Sequence, residues 1–175
     1  GEGRNGVWLA GLGLDVLSVD ASEVGLRKTR ELAASRGVAI RTAQADLGRW
    51  AWPSGEFDVV VSIFAHFPPE LRVSVHRAML AALKPGGLVI LEAFTPEQLN
   101  YTSGGPRLPE MLYTAGMLRA DFAAGEVLEL TETRTELELD ARAHVLQGLR
   151  IGVGADELHA LHAFADHVLD GIATR

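Results

Sequence analysis

The first residues of the chain form a glycine-rich turn that leads directly into a predicted helix. Gly1, Gly3 and Gly6 satisfy the GxGxxG spacing. Glycine lets the backbone approach a ligand closely, and the free N–H groups at the start of a helix favour electron-rich ligand atoms. A Gly-x-Gly pair by itself is more often an ordinary turn. The pattern therefore indicates a binding loop only together with the residues that follow it.

Two aspartates follow the next two predicted strands. Asp20 comes seventeen residues after Gly3, and a carboxylate at a strand end can accept two hydrogen bonds from ribose hydroxyls. Asp46, with neighbouring backbone groups, can receive the exocyclic amine of adenine. The alternatives are that Asp20 caps the helix beginning near Ser22 and that Asp46 is a solvated loop residue. We favour ligand binding because these positions share the edge where open α/β sheets bind ligands.

The elements that must position these residues alternate between strands and helices. The expected strands are Leu14–Val19, Val38–Thr42, Phe57–Ile63 and Leu88–Ala93. The expected helices are Arg4–Ala10, Glu23–Ser35 and one that begins after Pro69. Such alternation predicts an α/β fold, in which a Rossmann-like, doubly wound and mostly parallel sheet carries helices on both faces.

The pattern changes after Phe94. Residues 95–109 hold three prolines and the pair Gly104-Gly105, so we expect a long loop of the kind that is usually functional. The later expected elements are a helix at Met111–Ala123, an antiparallel hairpin of Val127–Leu139 and Ala143–Val153, and an amphipathic helix at Asp156–Ile172. We therefore divide the chain into a core at residues 1–154 and a C-terminal helix at residues 155–175.

Five short motifs then occur in the order typical of one enzyme family. They are Gly1-Glu2-Gly3-Arg4-Asn5, Val19-Asp20-Ala21-Ser22, Ala45-Asp46-Leu47, Phe57-Asp58-Val59-Val60-Val61-Ser62 and Leu83-Lys84-Pro85-Gly86-Gly87. Together they resemble the motifs of class I S-adenosylmethionine-dependent methyltransferases, and they are most similar to the small tellurite-resistance and thiopurine-type branch. The resemblance covers residues 1–146.

The resemblance implies a role for each motif. In this family the glycine turn holds the methionine part of the cofactor, the second-strand acid holds ribose, and the third-strand acid holds adenine. S-adenosylmethionine would therefore contact Gly1, Gly3, Arg4, Asn5, Asp20, Ala21, Ala45, Asp46, Leu47, Ser62, Ile63 and Phe64. The reaction is an in-line displacement of methyl from a sulfonium, and it requires no metal. The protein mainly aligns a nucleophile and excludes water.

The side of the methyl acceptor has fewer sequence signals. His66 can act as a catalytic base or orient a soft nucleophile, or it can cap the helix after Pro69, and both interpretations stay open. Glu92 and Tyr101 are further substrate-binding candidates, with a surface polar role as the alternative for each. The loop with Gly104-Gly105 can fold over the site as a lid. We expect a small-molecule acceptor with a sulfur, selenium, tellurium, nitrogen or oxygen nucleophile.

The match to the family is incomplete at its start. The family places an acidic residue and another glycine before Gly1, on a central strand of the sheet, and the first strand is missing from this sequence. Losing a central strand would leave its neighbours unpaired. We favour a fragment of a longer chain. The alternatives are that another segment or a partner chain fills the gap, or that cofactor binding has been lost.

Composition narrows the class of protein further. The 175 residues carry a formal net charge of −7 and no cysteine, so disulfides are excluded and a nucleic-acid substrate is disfavoured. No apolar run is long enough to cross a bilayer. We expect a soluble, cytoplasmic protein of undetermined oligomeric state. His159 and His162 have a spacing that can share a metal, but without a matching ligand pair we expect no metal site.

Two other functions stay open. GxGxxG followed by an acidic strand end is also the fingerprint of NAD(P)-dependent oxidoreductases. The later motifs, and the lack of the Tyr-x-x-x-Lys pair of short-chain dehydrogenases, favour the methyltransferase. The second alternative is a non-catalytic binding protein derived from the methyltransferase fold, because fold does not settle function.

Overall fold

A computed structural model describes residues 1–102, 104–139 and 142–153 of the chain. The chain divides into two compact units, Gly1–Ala51 and Trp52–Arg175. The helix expected at Asp156–Ile172, and with it the proposed division at residue 154, lies outside the described residues.

The first unit is a small α/β layer. Its elements are α1 (Arg4–Gly11), β1 (Leu17–Asp20), α2 (Glu23–Ser35) and β2 (Arg41–Gln44). The two strands pair in parallel, from Leu17 opposite Arg41 to Asp20 opposite Gln44. The apolar faces of the helices supply buried side chains to its core, namely Val7, Leu9, Leu26 and Ala33.

Both strands of this unit begin three residues later than the sequence pattern predicts, since the preceding residues close helices. Gly13 has a φ of 89°, and the Leu14 N–H donates to the Leu9 carbonyl at 3.4 Å. After α2, Gly37 has a φ of 65°, and the Val38 N–H donates to the Ala33 carbonyl at 3.0 Å. This is the Schellman arrangement, which satisfies carbonyls that a helix end leaves unpaired. Leu14 and Val38 therefore serve as helix caps and not as strand residues.

The second unit contains a four-stranded sheet in the order β3-β4-β6-β5. Its elements are β3 (Phe57–Ile63), α3 (Pro69–Ala81), β4 (Leu83–Phe94), α4 (Ala115–Asp121), β5 (Val127–Leu139) and β6 (Arg142–Val153), with short 3-10 helices at Pro96–Asn100 and Pro109–Met111. Strands β3 and β4 are parallel. The pairs β4–β6 and β5–β6 are antiparallel.

Two predicted boundaries in this unit are wrong. Strand β4 starts at Leu83 and not at Leu88. Residues 84–87 bulge from it, because Phe57 pairs with Leu83 whereas Val59 pairs with Leu88. The helix expected at Met111–Ala123 is shortened to α4. The Tyr113 N–H donates to the Phe94 carbonyl at 3.0 Å, and this bond to the end of β4 takes the backbone out of a helical path.

Candidate functional site

The glycine turn of the first unit is packed tightly against α2. Gly3 precedes α1 with a φ of 84° and no side-chain cap on that helix. A Cβ added at Gly3 would lie 2.6 Å from the side chain of Thr29. The Thr29 hydroxyl in turn donates to the Gly1 carbonyl at 3.3 Å. The turn is thus fixed by contact with α2, and the first N–H groups of α1 are left without a side-chain acceptor from the cap, as a ligand-binding helix start requires.

Two further glycines explain how the turn comes so close. A Cβ at Gly25, inside α2, would lie 2.8 Å from the Gly1 carbonyl oxygen. A Cβ at Gly6 would lie 2.6 Å from the Ser18 hydroxyl of β1. Glycine inside a helix lowers stability by about 1 kcal/mol relative to alanine. At Gly25 the close approach of the glycine turn explains why a glycine is nevertheless present. The sequence signal for this packing was the unusual helical glycine itself.

Asp20 lies beside the glycine turn. Its Oδ1 accepts a hydrogen bond from the Ser22 N–H at 2.7 Å, and its Oδ2 contacts the Gly1 nitrogen. The Asp20 side chain retains 28% exposure. Asp20 is not the cap of α2, because the Ser22 hydroxyl accepts from the Gly25 N–H at 3.2 Å in that role. The capping alternative for Asp20 is therefore wrong.

The ends of β1 and β2 are tied together next to this carboxylate. The Ala45 N–H donates to the Asp20 carbonyl at 3.0 Å. The exposed Asp46 follows, and its Oδ1 accepts from the Gly48 N–H at 3.0 Å. Gly1, Gly3, Asp20 and Ala45 thus share one edge of the first unit. The other predicted cofactor residues of this unit are exposed (Arg4, Ala21) or half-buried (Asn5, Leu47).

The end of β3 in the second unit carries a strained aromatic residue. Phe64 has a φ of 51°, the only positive value at a non-glycine among the described residues. Its N–H donates to the Glu92 carbonyl at 2.8 Å, and its ring stacks on Phe94 at a centroid distance of 4.3 Å. Ser62 is buried, and its hydroxyl has no hydrogen-bond partner within the described part of the chain. Strained backbone of this kind clusters at functional sites.

His66 occupies a position that fits neither predicted role. Its Nδ1 lies 2.9 Å from the Met111 carbonyl oxygen, and its Nε2 lies 3.2 Å from the Phe94 nitrogen. Burial, with a smaller effect of His76, lowers the pKa of His66 to about 4. Both ring nitrogens are thus engaged with backbone groups, which leaves none for a substrate proton. Helix α3 is preceded by Pro68 and has no side-chain cap, so the capping role is wrong as well.

Glu92 and Tyr101, the other substrate candidates, both belong to the second unit. Glu92 is a buried residue of β4, paired in register with Ile63. Tyr101 lies in the loop after β4, where its carbonyl accepts from the Arg107 guanidinium at 2.7 Å. The Arg134 guanidinium lies 5.9 Å from its ring centroid. These contacts make Tyr101 part of the packing of that loop.

The loop after β4 is anchored on Phe94. A Cβ at Gly105, where φ is 82°, would lie 2.8 Å from the Phe94 ring. The Gln98 amide also donates to the Gly104 carbonyl at 3.3 Å. The lid function of this loop stays a prediction.

The variant Gly105→Ala should destabilise the protein by about 1–3 kcal/mol more than Gly86→Ala. Both glycines have a positive φ, but no atom lies within 4 Å of a Cβ at Gly86, so the control carries the backbone strain alone. Urea unfolding followed by circular dichroism gives both values. Equal losses would show that the Phe94 ring moves aside without cost.

A buried ionic network joins α3 to α4, and no sequence pattern predicted it. Asp121 accepts hydrogen bonds from the Arg72 guanidinium at 2.7 and 3.2 Å, and its Oδ2 lies 2.8 Å from His76 Nδ1. Burial lowers the pKa of His76, whereas Asp121 acts in the opposite direction. The sequence offered no signal for this network, because Asp121 is separated from His76 by 45 positions and from Arg72 by 49.

In the described part of the chain no helix is long and apolar enough to cross a membrane. Within the same ranges no group of three or more His, Cys, Asp or Glu side chains could hold a metal ion. His159 and His162 lie outside them.

Comparison with known proteins connects this geometry to a family. Residues 1–87 match the family model described as a methyltransferase domain. The ubiquinone/menaquinone biosynthesis C-methyltransferase UbiE of Azotobacter vinelandii is 35% identical over 91 residues, which cover 50% of this chain and 36% of the relative. The glycine/sarcosine N-methyltransferase of Halorhodospira halochloris is 33% identical over 109 residues, which cover 58% and 38%. The chain thus spans little more than a third of the length of these curated relatives.

Solved structures extend the similarity beyond the matched half. TehB from Haemophilus influenzae superposes with a TM-score of 0.71 and 22% identity, covering 89% of this chain and 55% of that one. The fold is that of class I S-adenosylmethionine-dependent methyltransferases, and over residues 1–87 the chain belongs to the methyltransferase domain family. The predicted family and the Rossmann-like fold are confirmed. S-adenosylmethionine is the cofactor that this class implies.

Proposed function

We propose that this protein transfers a methyl group from S-adenosylmethionine to a small-molecule nucleophile in the cytoplasm. The observation that carries the proposal is the glycine turn, which is held against α2 with the carboxylate of Asp20 beside it. Gly3 has a positive φ and no room for a side chain, so a ligand can approach its backbone closely. An accessible backbone next to a strand-end carboxylate suits a nucleoside-containing ligand.

Different residues of the first unit would bind different parts of the cofactor. The turn at Gly1 and Gly3 takes the methionine part, Asp20 accepts hydrogen bonds from the ribose hydroxyls, and Asp46 with Leu47 takes the adenine. When Asp20 binds ribose, its Oδ1 keeps the bond to the Ser22 N–H, which holds the carboxylate in one orientation. A carboxylate fixed in this way loses less side-chain entropy on binding.

For the acceptor we assign the ends of β3 and β4 in the second unit, following the resemblance to the family. S-adenosylmethionine supplies a methyl group on a sulfonium, which is already a good electrophile. The chain's own contribution is to exclude water and to hold the nucleophile in line, for which Phe64 and Phe94 provide an apolar wall. Glu92 and the buried Ser62 hydroxyl are the polar groups that we assign to the acceptor. No general base is assigned, because both nitrogens of His66 are engaged.

Isothermal titration of S-adenosylhomocysteine into the purified chain tests the cofactor class. We expect the variant Asp20→Ala to bind at least about tenfold more weakly, which corresponds to about 1.4 kcal/mol, because the ribose hydroxyls lose their acceptor. Asp15→Ala is the matched control, since Asp15 is an exposed aspartate of the same unit that pairs with Arg41. NADH serves as the control ligand.

The outcomes separate the alternatives. Tighter binding of NADH than of S-adenosylhomocysteine would favour the oxidoreductase. Binding of S-adenosylhomocysteine without methyl transfer would favour a non-catalytic binding protein. Transfer is followed as S-adenosylhomocysteine release with four acceptor probes, namely benzenethiol, tellurite, glycine and a hydroquinone. Absence of binding by a folded sample would refute the proposed function for this chain.

A further inference from the structure

We propose that His66 is a positioning residue that links the carboxyl end of β4 to the segment before α4 and thereby fixes the aromatic wall of Phe64 and Phe94. The inference rests on the proposed function, because that function makes this wall the acceptor side of the site. His66 is thus assigned to geometry and not to proton transfer.

The hydrogen bonds of His66 allow a single protonation state. The Phe94 nitrogen is a backbone donor, so His66 Nε2, 3.2 Å away, must be the acceptor. The ring proton then lies on Nδ1, which donates to the Met111 carbonyl oxygen at 2.9 Å. A second proton on Nε2 would face the Phe94 N–H and break that bond. The imidazole is therefore the neutral Nδ1–H tautomer.

Ring stacking couples the orientation of Phe64 to that of His66 through Phe94. The His66 ring lies 5.5 Å from the Phe94 ring at an interplanar angle of 10°. Phe94 in turn stacks on Phe64 at 4.3 Å and 14°. Phe64 has a positive φ, and such strained backbone persists only where its surroundings over-determine it. A shift of Phe94 would therefore release Phe64.

The segment before α4 also contacts Phe67, the residue after His66. The Tyr113 hydroxyl accepts from the Phe67 N–H at 2.7 Å, and its ring lies 5.0 Å from that of His66. Among the described residues, Tyr113 faces this region, and His76 packs against it with 5.5 Å between the ring centroids. The Arg72 guanidinium lies 5.8 Å from the Tyr113 ring, and Asp121 pairs with both Arg72 and His76. Burial raises the pKa of Tyr113 to about 12, so its hydroxyl keeps its proton at physiological pH, and burial lowers the pKa of His76.

The tautomer is measured on the full chain by ¹⁵N NMR of the imidazole nitrogens, with the His66 signals assigned by their loss in His66→Gln. We expect a protonated Nδ1 and an unprotonated Nε2 between pH 8 and 5. A titration midpoint near 6.5, or a proton on Nε2, would overturn the proposal. This readout does not depend on methyl transfer.

Two variants separate positioning from proton transfer. His66→Asn keeps an amide near the place of Nδ1 and the bond to Met111, and His66→Gln keeps one near the place of Nε2 and the bond to Phe94. Neither amide can act as a base. With the acceptor probe of highest turnover, we expect the KM for the acceptor to rise by about 3- to 10-fold in each variant and kcat to change by less than about threefold.

The affinity for S-adenosylhomocysteine should stay unchanged in both variants. A fall in kcat by about 100-fold or more in both, the size expected for a lost general base, would overturn the proposal. If the Nδ1–H tautomer is found but no acceptor probe is methylated, the proposed function and the positioning role fail together. The hydrogen bonds by which His66 connects the end of β4 to the segment before α4 would then be the only part of the inference that remains.

Discussion

Replacing Gly3 by alanine is expected to lower the free energy of unfolding by about 2–4 kcal/mol. Two costs combine at this position. The backbone has a φ of 84°, which disfavours any residue with a Cβ. The new methyl would also lie 2.6 Å from the side chain of Thr29. Thr29 is itself fully buried, and its single hydroxyl proton is shared between the Gly25 carbonyl at 3.0 Å and the Gly1 carbonyl at 3.3 Å, so it has little room to move.

Gly13→Ala is the matched control for this variant. Gly13 has a φ of 89°, and no atom lies within 4 Å of the place that a Cβ would take, so its replacement should cost only the backbone strain of about 1–2 kcal/mol. Urea unfolding followed by tryptophan fluorescence measures both variants. Titration of S-adenosylhomocysteine should show weakened binding for the Gly3 variant alone, because only that glycine lies in the proposed cofactor turn. Equal destabilisation would show that the contact with Thr29 relaxes without cost.

Replacing Asp121 by alanine is expected to destabilise the protein by about 3–5 kcal/mol. The variant leaves the Arg72 guanidinium, only 12% exposed, without its carboxylate. It also removes the hydrogen-bond partner of His76 Nδ1, whose side chain is fully buried. An uncompensated buried charge costs much more than the pair contributes when intact, because the charge has lost both water and its partner.

A double variant tests this explanation. Asp121→Ala combined with Arg72→Met removes both charges, so it should be more stable than the single Asp121 variant. Asp58→Ala is the control for the loss of an ion pair at the surface. Asp58 pairs with Lys84 but is 81% exposed, and we expect no measurable change in the urea midpoint. A double variant no more stable than Asp121→Ala would show that lost packing, and not the unpaired charge, causes the effect.

Local sequence patterns predicted the bounds of several helices and strands. The helix Glu23–Ser35 and the strands Phe57–Ile63 and Val127–Leu139 have the predicted bounds. These elements are set by apolar periodicity and by caps that lie within a few residues, such as Ser22 before α2. The strand-end position of Asp20 follows from the same local signals.

The misplaced boundaries have a common physical cause. Leu14 and Val38 are good strand residues by composition, but their N–H groups close the preceding helices. Tyr113 fits a helical pattern, but its N–H bonds to the end of β4, nineteen residues earlier. In each case a backbone hydrogen bond outweighed local propensity, which differs between residues by less than about 1 kcal/mol.

Local patterns along the chain were enough to predict the order of strands and helices, and the resemblance of five short motifs predicted the family. Three other features became visible only in the folded chain. His66 is a neutral link, Gly25 makes room for the turn, and Asp121 pairs with Arg72 and His76. The reason is that hydrogen bonds and buried charges depend on which distant segments the fold brings together, and no local pattern encodes that choice.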